Sequence, residues 1–217
     1  MSREKAVSQA SDPIFARIAR RYDRINSVLS LGQEDSWRRE AISHLPGGLV
    51  LDLGSGTGAA LEALGERRVV GLDPVVEMLR LSPIGWRVAG IGEQLPFRSG
   101  SFDGVFSAYV FRNLASVEAT LSEVERVLRP GGKAAIVDLT RPPHRLARWV
   151  QRAGTAVVLP LVGGIMAGAP REYWYLHRSL DSLPAPEELF AAGPLRLERV
   201  WRMGLNGFVY GVVLVKD

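Results

Sequence analysis

Apolar residues recur along this chain in two alternating rhythms. Short, nearly unbroken apolar runs predict buried strands at Leu49–Leu53, Val69–Leu72, Phe102–Ala108 and Ala134–Leu139, with a weaker one at Trp86–Ala89. Between them, apolar positions at helical spacing predict helices. One lies around residues 35–45, where Trp37, Ala41 and Ile42 share a face; others span Ala59–Leu64 and Pro74–Leu81. The best-defined stripe is Val117, Leu121, Val124 and Leu128, within residues 116–128. Pro46-Gly47-Gly48 and Pro130-Gly131-Gly132 end two of these helices. Near the N-terminus, Ser11-Asp12-Pro13 marks a helix start, and Ile14, Phe15, Ile18, Tyr22 and Ile25 follow on one face. In the tail, strands near Leu195–Trp201 and Phe208–Val215 are joined only by Arg202–Gly207, which makes them an antiparallel pair. Strands alternating with helices predict an α/β fold, a doubly wound and mostly parallel sheet with its ligand at the carboxyl ends of the strands.

The first strand carries the candidate chemistry. Leu49-Val-Leu-Asp-Leu runs into Gly54-Ser55-Gly56-Thr57-Gly58 and then into helix-forming residues. Glycines let such a turn close tightly and bring backbone against a ligand. Free N–H groups at the start of the following helix favour a carboxylate or phosphate. The second strand ends at Asp73, about twenty residues after the loop, where an acid can accept hydrogen bonds from a ribose diol. This is a nucleoside-binding βαβ unit. Gly54-x-Gly56-x-x-Ala59 also satisfies the relaxed dinucleotide fingerprint, and a tight turn with no ligand fits it too. Asp52 favours another ligand: a carboxylate at the strand's end is unwelcome beside a pyrophosphate and suits an ammonium or sulfonium. S-adenosylmethionine offers an adenosine for Asp73, a carboxylate for the helix start and two cationic centres.

Composition narrows the picture. At 217 residues, 47% hydrophobic and 23% charged, the chain is one domain with room for a full core. It has no cysteine, which excludes disulfides, cysteine-ligated zinc and thiolate catalysis. His44, His144 and His177 are too widely spaced for a recognisable metal motif, so no metal is expected. No stretch reaches transmembrane length and no signal peptide is legible, so a cytoplasmic protein is expected. The net charge of +4 permits an anionic membrane or nucleic acid partner without demanding one. Arginines cluster at 17–24 and again at 141–152, the latter beside the apolar run Ala156–Gly168. That run is too short to span a bilayer; it reads as a cap over the strand ends, an oily pocket wall, a membrane-touching segment or ordinary core.

Several anchors in order make the chain resemble the ubiquinone/menaquinone biosynthesis C-methyltransferases. They are Tyr22-Asp23 with Asn26, Ser30 and Trp37; Glu93-Gln94-Leu95-Pro96-Phe97 with Phe102-Asp103; Phe111-Arg112-Asn113; Arg126-Val-Leu-Arg-Pro-Gly-Gly-Lys133; and Tyr173, Tyr175-Leu176, Ser179-Leu180 and Leu183-Pro184. The resemblance runs from about Ile14 to Val215. It implies a Rossmann-like class I methyltransferase with a seven-stranded, mostly parallel sheet, an antiparallel last strand and a helical N-terminal cap. The expected divisions are the cap (1–46), a cofactor-binding half (47–140), a substrate-side insertion (141–185) and a C-terminal helix and strand pair (186–217). It implies S-adenosylmethionine as cofactor, held by Asp52, Gly54, Ser55, Gly56, Thr57, Asp73, Met78, Gly92 and Glu93. It implies a demethylated isoprenoid quinol as substrate, with peripheral contact at the inner face of a membrane. Arg112 is the expected stabiliser of the phenolate, Asn113 the ring-orienting group, Tyr22 a cap over the site and His177 a base.

The chain also departs from the family. Glu34 stands where a His is usual, Asp138 and Thr140 where Glu and Ser are, and Ile91 where an Asn or Asp often holds the adenine. Ala108 replaces a Ser, Val110 a glycine, and Ala192-Gly193-Pro194 an Ala-Gly-Phe. These keep open a methyltransferase of another lipid or small molecule, and an accessory protein that binds cofactor without catalysis. A nucleic-acid methyltransferase is disfavoured: Ala108-Tyr109-Val110-Phe111 is not the adenine-methylating motif, and cytosine C5 chemistry needs a cysteine.

Overall fold

The computed structural model describes residue 30, residues 32–142, 144, 146, 148–149, 151–156, 180, 184–204 and 207–217. In chain order the elements are α1 (Glu34–Ile42), β1 (Leu49–Leu53), α2 (Leu61–Leu64), β2 (Arg68–Asp73), α3 (Val76–Leu81), β3 (Trp86–Ala89), β4 (Phe102–Ala108), a 3-10 turn (Phe111–Asn113), α4 (Val117–Val127), β5 (Leu128–Leu139), α5 (Pro186–Ala191), β6 (Arg196–Met203) and β7 (Val209–Val215). Among the described residues the strands form one seven-stranded sheet in the order β3-β2-β1-β4-β5-β7-β6. β1 pairs parallel with β2 and β4, β2 with β3, and β4 with β5, while β7 runs antiparallel to both β5 and β6. Reversal of strand order beside β1 opens a crevice where ligands bind in such sheets.

Both faces of the central strands are covered, which is why β1, β2 and β7 read as nearly continuous apolar runs, while the edge strands β3 and β6 are exposed or half-buried over most of their length. With a side-chain period of two, Leu51 and Leu53 of β1 and Ala134 and Ile136 of β5 enter one core with Leu121 and Val124 of α4 and Phe190 of α5. Val50 and Phe106 enter the other, with Trp37, Ala41 and Ile42 of α1 and Leu64 of α2. Asp52 continues the second face and Asp138 the first, so both acids end buried strands, at 2% and 0% exposure.

Two expectations change. The helix read over Ala59–Leu64 is only the four residues of α2, because Gly54 to Ala60 are spent in turns. Pro130-Gly131-Gly132 does not separate α4 from a strand beginning at Ala134. α4 ends at Val127 and β5 begins at once. Leu128 pairs with Phe102, the register then shifts, and Lys133 pairs with Gly104. A bulge tolerates the missing N–H of Pro130, and Gly131 takes φ 75° there. The bulge is tied to the end of β7 by Gly131 N–H to Lys216 O (2.8 Å) and Lys216 N–H to Gly132 O (3.0 Å). α4 itself starts as expected: Ser116 caps it, its hydroxyl accepting from Ala119 N–H at 3.1 Å.

Candidate active site

A cavity of about 970 Å³, counting its open mouth, lies at the carboxyl ends of β1, β2 and β4. The glycine loop contributes Gly54, Ser55, Gly56 and Thr57 to its wall; the strand ends add Asp52 and Asp73, and α3 adds Met78. Gly92 and Glu93 from the segment after β3, and Asn113 from the 3-10 turn, close another side. The residues read from sequence as holding a cofactor therefore share one cavity.

The loop is shaped by packing. Gly54 sits at φ 74°, and a Cβ there would stand 2.2 Å from Val110 Cγ2, so only glycine fits between loop and β4 end. Its N–H and that of Ser55 donate to Leu72 O, and Gly58 N–H donates to Ser55 O. Gly56 N–H donates to Asp73 Oδ2 at 2.9 Å and Val75 N–H to Asp73 Oδ1 at 2.8 Å, which fixes that carboxylate against the cavity. Burial raises the Asp73 carboxyl above its usual value, and the two amide donors oppose the rise. Of the amides expected to face an anion at the start of the helix, that of Gly56 serves Asp73 instead, and α2 is only four residues long.

Asp52 is the most perturbed acid of the cavity. Its Oδ2 is buried with no hydrogen-bond partner among the described residues. Burial pushes its carboxyl up to about 7; the charge of Asp73 adds to the rise and the Arg38 guanidinium opposes it. Arg38 of α1 also lines the cavity. It donates to Glu34 Oε2 (3.1 Å) and Asp35 Oδ1 (3.0 Å), and its guanidinium lies 5.6 Å from the centre of the Tyr109 ring. Glu34, the departure from the family's His, is thus the buried acid that anchors this arginine.

Glu93 does two things. Its Oε1 accepts from Ala115 N–H (2.7 Å) and Ser116 N–H (3.2 Å), clamping the segment after β3 to the start of α4, while Oε2 has no partner among the described residues. Ile91 also lines the wall, so an apolar side chain stands where the family often places an amide or acid.

Arg112 is placed differently from its neighbour Asn113. It is not among the cavity-lining residues; it forms a buried ion pair with Asp138 at the end of β5, its Nη1 donating to Asp138 Oδ1 and its backbone N–H to Oδ2 at 3.3 Å. Asn113 lines the cavity, and its Nδ2 donates to Tyr109 O at 3.4 Å. Tyr22 and His177 lie outside the described residues, as do Asp23, Asn26, Tyr173 and Tyr175 and most of the apolar run from 156 to 168.

Sequence reasoning gave no role to Arg38, Tyr109 or Asp138. Arg38 directly follows the signature Trp37, Asp138 was visible as a departure at a strand's carboxyl end, and Tyr109 precedes the departure at Val110. Those were the available signals.

The residues present fit S-adenosylmethionine. Asp52 and Arg38 offer adjacent charges of opposite sign for an amino-acid ammonium and carboxylate, Asp73 an acceptor for a diol, and Met78 and Leu114 apolar walls for a base. The cavity holds no group of ≥ 3 His, Cys, Asp or Glu suited to a metal ion, nor does any other place among the described residues.

Known proteins bear on this geometry. The model of the ubiE/COQ5 methyltransferase family matches residues 3–192. A demethylmenaquinone methyltransferase of Thermus thermophilus is 37% identical over 193 residues, covering 82% of this chain and 88% of that protein. Its counterpart in Deinococcus radiodurans is 39% identical over 197 residues, covering 83% and 81%. A 2-phytyl-1,4-naphtoquinone methyltransferase of Synechocystis is 37% identical over 191 residues, covering 79% of each. Among solved structures, a SAM-dependent methyltransferase of Thermotoga maritima superposes with a TM-score of 0.62 at 19% identity, covering 94% of this chain and 98% of that one. Another, of Aquifex aeolicus, gives 0.54 at 17% identity with both chains fully covered. The last two establish the class I methyltransferase fold, and the matches in sequence decide among the readings that the glycine loop left open: the chain belongs to the ubiE/COQ5 methyltransferase family.

Proposed function

We propose that this methyltransferase moves a methyl group from S-adenosylmethionine to a ring carbon of a demethylated isoprenoid quinol of the demethylmenaquinol type. The observation that carries the cofactor reading is the buried Asp52 carboxylate, one oxygen without a partner, beside Arg38 and across from Asp73. The names of the similar proteins point to the quinol.

Bound S-adenosylmethionine supplies an electrophilic methyl on a cationic sulfur. The chain's own residues then have to align the acceptor, exclude water and stabilise charge on the ring. Asp52 and Arg38 hold the amino-acid end, Asp73 the ribose, and Met78 and the Gly92-Glu93 segment the adenine. Asn113 hydrogen-bonds the acceptor ring from the cavity wall. Arg112, the group assigned to stabilise the phenolate, is held in a buried ion pair with Asp138 outside the cavity lining, so it acts on the ring as an oriented dipole rather than as a free charge. Tyr22 as a cap and His177 as a proton acceptor remain part of the proposal on the strength of their positions in the family's signatures. Peripheral contact with a membrane completes it, since the acceptor is a lipid; no helix among the described residues is long and apolar enough to cross one.

A quinone ring is electron-poor, whereas ionising one hydroxyl of the quinol puts negative charge on the carbon to be methylated. Methyl transfer should therefore be followed from labelled cofactor to a demethylmenaquinone analogue, with and without dithionite, with total RNA as a control. Label is expected only in the reduced quinol. Equal labelling of the oxidised ring would overturn the mechanism, and labelling confined to another acceptor would overturn the substrate.

A further inference from the structure

Tyr109 is the one residue other than glycine with positive φ among the described residues, at 64°. A tyrosine rarely adopts this left-handed conformation, and residues held there cluster at functional sites. Here it is enforced from both sides: Tyr109 N–H donates to Val137 O at 2.7 Å as β4 ends, and the next residue, Val110, is wedged against Gly54. The turn swings the ring into the cavity wall, with the Arg38 guanidinium 5.6 Å from its centre.

The ring is accounted for by that contact; the hydroxyl is not. It is buried, yet has no hydrogen-bond partner among the described residues. It lies in the field of two buried ion pairs, Arg38–Glu34 from α1 and Arg112–Asp138 from the strand ends. Burial raises the phenol above its ordinary value, so it stays protonated and presents a donor. A buried donor without a partner is costly unless an oxygen meets it, and the residue that carries this one forms part of the cavity wall. The side of the cavity matters. Asp52, Asp73 and the glycine loop lie at β1 and β2, whereas Tyr109 lies beyond the end of β4 and its carbonyl accepts from Asn113. Asn113 is the residue proposed above to meet the acceptor ring, and Tyr109 stands beside it.

We propose that Tyr109 orients the methyl acceptor, its phenol donating a hydrogen bond to a ring oxygen of the substrate. This rests on the quinol reading above. The bond strengthens as that oxygen gains negative charge, so it acts mainly in the transition state.

Tyr109→Phe keeps the ring, its contact with Arg38 and the backbone conformation, and removes only the donor. Steady-state methylation of reduced demethylmenaquinone analogue and calorimetric binding of S-adenosylmethionine should be measured on both proteins. The expected result is an unchanged cofactor affinity, a kcat lower by about ten- to a hundredfold and a KM within about threefold. Native kcat in Tyr109→Phe overturns the role. A loss of cofactor affinity larger than about fivefold also overturns it, assigning the hydroxyl to the cofactor. A native enzyme inactive on the quinol but active on another acceptor overturns the substrate reading instead, and Tyr109→Phe on that acceptor then decides the residue's role. If the Phe variant does not fold, Tyr109→Gly adopts φ 64° freely, and native turnover there overturns the proposal.

Discussion

Asp52 makes the folded protein store an electrostatic cost that a single atom exchange should release. Its carboxyl is moved from 3.8 to about 7, chiefly by burial. Because the folded state holds this proton more tightly than the unfolded chain does, the group's contribution is fully present below pH 3.8. It is lost as pH rises through about 7. A shift of that size corresponds to about 4 kcal/mol at the alkaline end. Asp52→Asn keeps the shape and removes the ionisation, but leaves a buried amide whose own unmet hydrogen bond costs about 1–3 kcal/mol. At pH 5 the variant of the cofactor-free protein should thus be equal to or weaker than the native protein; at pH 8 it should be more stable by about 1–3 kcal/mol. Asp73 is also raised and titrates in the same direction, so the readout is the difference between variant and native protein, not either slope alone. Urea unfolding at the two pH values measures it. A difference that is the same at pH 5 and pH 8 would falsify the claim that Asp52 is an uncompensated buried acid. The same variant should bind S-adenosylmethionine more weakly, because the carboxylate held at that cost is the one proposed to meet the cofactor's ammonium or sulfonium.

Asp73→Ala should weaken S-adenosylmethionine binding by about ten- to a hundredfold, the worth of hydrogen bonds to a charged acceptor; unchanged affinity by calorimetry would remove Asp73 from the ribose. Asp138→Ala should destabilise the protein by about 3–5 kcal/mol, since it strands the guanidinium of Arg112 in a buried site; adding Arg112→Met to it should recover most of that loss in denaturant titrations, and no recovery would mean that the pair is not the cause. Anionic vesicles should bind the protein weakly and salt-sensitively, since Arg148 and Arg152 are exposed on the helical stretch that also exposes Leu146 (76%) and Trp149 (69%). Flotation of equal amounts with neutral vesicles would count against it.

Local pattern alone determined the strands and the acids that end them. Leu49–Leu53 is apolar on every residue but Asp52, and Phe102–Ala108 is bounded as read, because a strand covered on both faces is mostly apolar. Asp52 and Asp73 follow from this, since a strand's end in a parallel sheet is the rim of its crevice. The glycine loop was legible for the same reason: its geometry is set within a few residues. Contacts between distant segments were not legible. Arg38 reaches the cavity from a helix whose periodicity says only that Trp37, Ala41 and Ile42 are buried, and its ion pair with Glu34 becomes a feature of the site only once α1 packs on β5 and β7. Arg112 stood out as a catalytic candidate, yet its partner Asp138 lies 26 residues away in sequence and is brought to it by the β4–β5 pairing. The brevity of α2, the bulge at Pro130–Gly132 and the left-handed Tyr109 were decided in the same way, by neighbours across the sheet rather than along the chain. Propensity and periodicity register what a segment buries; which charge meets which, and which hydroxyl is left over, depends on distances that exist only after the sheet has closed.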